Sequence, residues 1–169
     1  CKYCLKYKEV LEKELGQDIT QLSSGGRITV TFAVGGAGAQ RELGIALVKS
    51  LRGKILTDQI KLNLVAGTHK HIADYFREEL DNLGLVKEIG KGLDIIYAED
   101  KYKYFSAFNA CIRTTDLLWT KPSELSFYCA FGSPSIMAEP IGSQEWFNRH
   151  WLLTIGAGID QEKVTYTDE

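Results

Sequence analysis

Thr114-Thr115-Asp116-Leu117-Leu118-Trp119-Thr120-Lys121-Pro122-Ser123-Glu124-Leu125 begins the stretch that decides the fold. It continues through Phe131-Gly132-Ser133-Pro134 to Ile136-Met137-Ala138-Glu139-Pro140 and closes on Gly142-Ser143-Gln144-Glu145-Trp146-Phe147-Asn148. Leu117–Trp119 is an apolar strand running into a polar turn, and Ser123 is placed to cap a short helix. Gly132 ends that helix and Pro134 follows as a stop. Ile136–Ala138 is a second short strand, and polar residues then lead into a helix beginning near Ser143. Two strand-to-helix turns in succession set two helix N-termini at one edge of a parallel sheet. That edge is where open α/β sheets bind ligands, and helix N-termini favour anions.

Working upstream, Ile28–Val34 reads as a first strand rich in β-branched residues. Gly35-Gly36-Ala37-Gly38-Ala39-Gln40-Arg41 follows it and opens a helix with Leu43, Leu47 and Leu51 on one face. Strand, glycines and helix together let backbone approach a phosphate closely. A close-packed strand–helix turn would require the same small residues. A dinucleotide fingerprint needs a third glycine and an acid after the second strand. Position 41 is Arg41, and the second strand, Leu62–Ala66, runs into Gly67-Thr68, which disfavours NAD. A second helix spans His69 to Leu83 with Ile72, Phe76 and Leu80 at helical spacing, and Gly84 stops it. His69 and His71 read as solvated rather than as a metal pair. Leu93–Tyr97 is the third strand. Lys101 to Ile112 is a helix with Phe105, Phe108 and Ile112 expected to pack inward. At the far end, a helix from Gln144 to Ile155 carries Phe147, Trp151 and Ile155 on one face, and Gly156-Ala157-Gly158 ends it.

The 169 residues suit one domain, with 44% hydrophobic and 25% charged residues. A formal charge of −2 argues against nucleic acid as a partner, which needs a basic face. No apolar run reaches the roughly 20 residues of a membrane span. The start, Cys1-Lys2-Tyr3-Cys4, lacks both an initiator Met and a signal-peptide pattern, which suggests a piece of a longer protein. Residues 1–26 read as a connector helix and a Ser/Gly linker, 27–160 as the α/β domain, and 161–169 as a tail. Cys111 and Cys129 fall in apolar helical patterns and read as buried free thiols. Cys1 and Cys4 have no second pair at zinc spacing, so no metal site is expected. A reduced, cytoplasmic protein is the default for such cysteine usage.

The opening stretch resembles the nucleotide-sugar half of GT-B glycosyltransferases, in the branch with the peptidoglycan N-acetylglucosaminyltransferase and the diacylglycerol sugar transferases. The shared pieces are Thr120-Lys121, Gly132-Ser133-Pro134 and Gln144-Glu145-x-x-Asn148, in that order. The likeness extends upstream to about Thr29. It implies one GT-B half-domain: a Rossmann-like parallel sheet of about six strands with helices on both faces. It also implies a UDP-sugar as donor substrate with no separate cofactor, and transfer with inversion to an acceptor, a lipid among the candidates. Peripheral attachment to a membrane would accompany a lipid acceptor. The general base is expected outside this chain, in a missing N-terminal GT-B domain or a partner subunit. Donor contacts fall on Gly35, Gly36 and Gly38 in the glycine loop, and on Thr68 and Tyr97 after the second and third strands. Lys121, Ser123 and Glu124 would hold phosphate and ribose, while Gln144, Glu145 and Asn148 face the sugar. Two departures stand out. Lys121-Pro122-Ser123 replaces the family's Gly-x-Gly turn, and Phe127 falls where its ribose-binding Glu would be, with Glu124 one turn earlier. A sugar-nucleotide 2-epimerase half and a non-catalytic, partner-binding GT-B domain are the competing readings.

Overall fold

The computed structural model describes residues 26–33, 40–122, 132, 134–161 and 163–164. The glycine loop with Gly35, Gly36 and Gly38, the segment with Ser123, Glu124, Phe127 and Cys129, and the N-terminal connector all lie outside them. In chain order the elements are β1 (Ile28–Ala33), α1 (Arg41–Ser50), α2 (Arg52–Leu56), β2 (Ile60–Gly67) and α3 (Lys70–Asn82). They continue with β3 (Leu93–Tyr97), α4 (Lys101–Ile112), β4 (Leu117–Thr120), β5 (Ser135–Met137), α5 (Ser143–Ile155) and β6 (Gly158–Asp160).

The strands form one six-stranded sheet in the order β3-β2-β1-β4-β5-β6, and every neighbouring pair is parallel. This is the expected Rossmann-like α/β architecture. The chain winds outward from β1 to β3, then crosses back to lay β4 against the other side of β1. That reversal creates the crevice at which such sheets bind ligands.

Side-chain alternation along β1 explains the two layers. Val30 and Phe32 point to one face and join Leu47 and Val48 of α1, Leu51 just past it, and Ile72, Phe76 and Leu80 of α3 in the main core. Thr29, Thr31 and Ala33 point to the other face, which α4 covers through Phe108, packed against Ala33 and Leu118. The second face is polar at its centre. Asn63 Nδ2 donates to Thr31 Oγ1 at 3.0 Å, and Thr31 shares a 2.7 Å hydrogen bond with Thr115 and a 3.5 Å contact with Cys111 Sγ. Beside them Lys61 pairs with Asp94 at 2.6 Å. Buried polar groups are tolerated here because they satisfy one another. The same face continues to β5, where Met137 packs on Leu152 of α5.

Local stops follow backbone chemistry. Gly84 and Gly156 take φ 68 just past α3 and α5, the left-handed position that closes a helix end. Gly132 also has a positive φ, 66, while the helix it was expected to end lies outside the described residues. Asp100 caps α4, its carboxylate accepting from Lys103 N at 2.9 Å.

One expectation needs correction. Phe105 does not pack inward; it is 46% exposed, with Lys101 over its ring. The inward side of α4 is made of Tyr104, Phe108, Cys111 and Ile112, so Phe108 and Ile112 pack as expected and Phe105 does not. In α5, Phe147, Trp151 and Ile155 share a face as expected, and it is an exposed one, with Phe147 76% exposed and Leu152 the buried residue of the helix. Val164, within the stretch read as a tail, packs against the main core.

The packing sets opposite outcomes for two helical glycines. A Cβ on Gly44 of α1 would sit 2.9 Å from Phe32 and 3.3 Å from Phe76, both fully buried rings, whereas one on Gly53 of α2 meets nothing within 4 Å. Gly44→Ala should therefore destabilise by about 1–3 kcal/mol through overpacking. Gly53→Ala should stabilise by about 0.5–1 kcal/mol through helix propensity alone. Urea unfolding of both variants checks the contrast.

Burial pushes the Cys111 thiol above its ordinary pKa. A raised pKa means its share of stability is whole below the unfolded thiol's pKa and is lost as pH rises through the folded one. Wild type should thus lose more stability than Cys111→Ala between about pH 7 and pH 10, a window that brackets the ordinary thiol. Urea midpoints for the two proteins at both pH values measure the difference.

Candidate functional site

β1 and β4 end side by side, Ala33 opposite Thr120, and the chain leaves them in opposite directions across the sheet. The residue after β4 is Lys121, only 7% exposed. A lysine so deeply placed is unusual, since ammonium groups stay in water unless paired. Its Nζ lies 3.7 Å from Glu145 Oε1, a long contact for an ion pair. The second oxygen of Glu145 accepts from the Ile141 N–H at 2.7 Å, tying the β5–α5 loop to the first turn of α5. A carboxylate in a first helical turn is also favoured by the helix dipole.

Asn148 completes the junction. Its Nδ2 donates to the carbonyl of Pro122 at 2.8 Å, so the turn after β4 is fastened to α5. Lys121, Glu145 and Asn148, expected from sequence as donor contacts, are therefore brought together through protein–protein bonds. Gln144 is exposed on the same first turn. The N-cap of α5 is Gly142, which offers no side-chain cap. On the opposite side of β1, Gly67 pairs in register with Tyr97, so Thr68 and Tyr97 sit at neighbouring strand ends of the same sheet edge. Thr68 is exposed, and Tyr97 is half-buried against the main core.

Sequence reasoning missed Gln40. It precedes α1 in the left-handed region, φ 68, and its Nε2 reaches the carbonyl of Glu139 at 3.4 Å across the crevice. Its Oε1 is buried and takes no hydrogen bond among the described residues. A buried unpaired acceptor at a strand-end crevice is a place where an external donor would be favourable. The only sequence signal was its position, the first polar side chain after the glycines. Beyond β6, Gln161 also went unremarked. Its backbone N–H extends the ladder to Met137 O at 2.9 Å, and its Oε1 accepts from Trp119 Nε1 at 2.8 Å.

Among the described residues no group of three His, Cys, Asp or Glu side chains could hold a metal ion. His69 and His71 stand 5.7 Å apart, ring to ring, with His71 exposed. No helix among the described residues is long and apolar enough to cross a membrane.

Comparison with known proteins gives a family without an assigned activity. No curated protein matches the chain. The family model that does match covers residues 8–91 and 85–165, which is most of the chain and includes β1 through β6. The chain belongs to the family described as a domain of unknown function, DUF6938.

Proposed function

We propose that this chain is the donor-binding domain of an inverting glycosyltransferase and takes a UDP-sugar at the crevice between β1 and β4. The acceptor site and the general base belong, on this reading, to residues beyond these 169. The observation that carries the proposal is Lys121, a cation sunk to 7% exposure at the strand-order reversal and held loosely by Glu145 at 3.7 Å. A diphosphate offers it stronger, charge-assisted hydrogen bonds than that long contact does. The first turn of α5, uncapped by a side chain, adds backbone N–H groups of favourable polarity beside it. The unpaired Gln40 Oε1 would accept from a ligand hydroxyl or imide N–H. Glu145 acts in this scheme by positioning Lys121 and the Ile141 loop, and Gln144, exposed on the same turn, is the group available to sugar hydroxyls.

One observation favours the partner-binding alternative. Asn148 is satisfied by Pro122 and Glu145 by Ile141 and Lys121, so both side chains have structural work without a ligand.

Calorimetry of the full chain with UDP and several UDP-sugars tests the proposal. UDP should bind, and Lys121→Met should weaken it by about tenfold to a hundredfold, the worth of one hydrogen bond to a charged group. Raising salt should narrow the gap between the two proteins. No UDP-sugar should be consumed by the chain alone, because a general base that is absent contributes none of its roughly 10²–10⁴-fold. An absence of UDP binding, in this chain and in one extended by an acceptor domain, would leave the partner-binding reading.

Asn148→Ala is expected to lower stability by about 1 kcal/mol, since the Pro122 carbonyl loses its donor. The same variant should weaken UDP by loosening the Lys121 turn. Denaturation and calorimetry on one preparation separate the two effects.

A further inference from the structure

A second cleft lies beside the first turn of α5, on its β5–β6 side rather than at the β1–β4 crevice. It encloses about 540 Å³, within the range of small-ligand sites, and Met137 and Pro140 give it apolar walls. Trp146 lines it while remaining 52% exposed, so aromatic surface is open to a ligand there. The guanidinium of Arg149 lies over the indole, 5.2 Å from its centroid. Arg149 is itself held in two-pronged fashion by Asp160, through Nε to Oδ1 at 2.6 Å and through Nη2 to Oδ2. The platform is therefore fixed before anything binds, which reduces the ordering cost of a ligand.

The remaining polar lining decides the ligand class. Arg149 and Lys163 can only donate, Glu139 and Asp160 can only accept, and Gln161 can do both. Its formal charges cancel, so an ionic ligand would meet repulsion about as often as attraction. A ligand whose every polar group both donates and accepts fits all of them, and hydroxyl groups have that property. An apolar face on the same ligand would lie against the part of the indole that Arg149 leaves open. We infer that this cleft binds a neutral polyhydroxylated ring, a saccharide, stacked on Trp146. The inference does not depend on the UDP reading, which rests on Lys121 at the β1–β4 crevice.

The test is titration of the isotope-labelled full chain with methyl β-glucoside, followed through the side-chain N–H resonances of Arg149 and Gln161. Inorganic phosphate and UDP are separate arms. Both resonances should move with a millimolar dissociation constant. Trp146→Ala should weaken binding at least tenfold, and Trp146→Phe, which keeps a flat ring, should retain most of it. The indole is half exposed, so neither variant threatens the core. Unmoved resonances, or the same response in Trp146→Ala, would overturn the inference. So would movement with phosphate and none with glucoside, which would make the cleft an anion site. Glucoside shifts confined to the Asn148 amide would overturn it too, by assigning the sugar to the β1–β4 crevice. Glucoside binding here with no response to UDP would support it while removing the nucleotide proposal.

Discussion

The pairing of β4 with β1 is the constraint on which the rest of this structure depends. Until β4 arrives, β1 is an edge strand and the crevice has one wall. The two strands meet across a long stretch of chain, and the meeting is fixed at its base by Asp116. Its Oδ2 accepts from Thr29 N at 2.8 Å while its own N–H donates to Thr29 O at 2.9 Å, across 87 residues of sequence. This double clasp sets the register in which Val30 faces Leu117 and Ala33 faces Thr120. A slip of one residue would turn Trp119 and Leu118 to the wrong faces. The turn at the β4 end, Lys121 first, inherits its position from that register.

The polar centre beneath α4 belongs to the same constraint. Thr31 lies at the middle of β1 and is bonded from three directions, by Asn63 of β2, by Thr115 and by Cys111. An apolar residue in its place would leave Asn63 without that partner. These bonds join β2, the crossover helix and the turn leading into β4 to one hydroxyl, which gives the sheet a unique alignment that hydrophobic packing alone specifies less sharply. The main core on the other face is built mostly from Leu, Ile, Val, Phe and Ala, and its one indole N–H, that of Trp119, is bonded to Gln161.

Much of this was legible in the sequence because strong local signals agreed with the fold. Leu93–Tyr97 and Lys101–Ile112 have the bounds expected for them, where β-branched and helical patterns abut capping residues. The alternation of strands and helices was enough for a parallel sheet. What the sequence left open was the direction of some faces. Periodicity groups Phe147, Trp151 and Ile155 together but cannot say whether the group points to the sheet or to water. Phe105 was misplaced for the related reason that α4 is aromatic on more than one side. At the site, the Thr-Lys and Gln-Glu-x-x-Asn pieces marked residues that do converge. The burial of Lys121, the orphaned oxygen of Gln40 and the Arg149–Asp160 clamp depend on which loops cross the strand ends. No local pattern encodes that.

The hydrogen bond between Trp119 and Gln161 has a consequence of another kind. Of the three tryptophans, Trp119 is shut away in the core with its indole N–H bonded, while Trp146 and Trp151 stand half in water. The chain thus carries two optical populations that answer to different events. Emission from Trp119 reports on the core of the sheet and on whether Gln161 still accepts from its indole N–H. Emission from the other two reports on what touches α5. A soluble quencher separates them without any label.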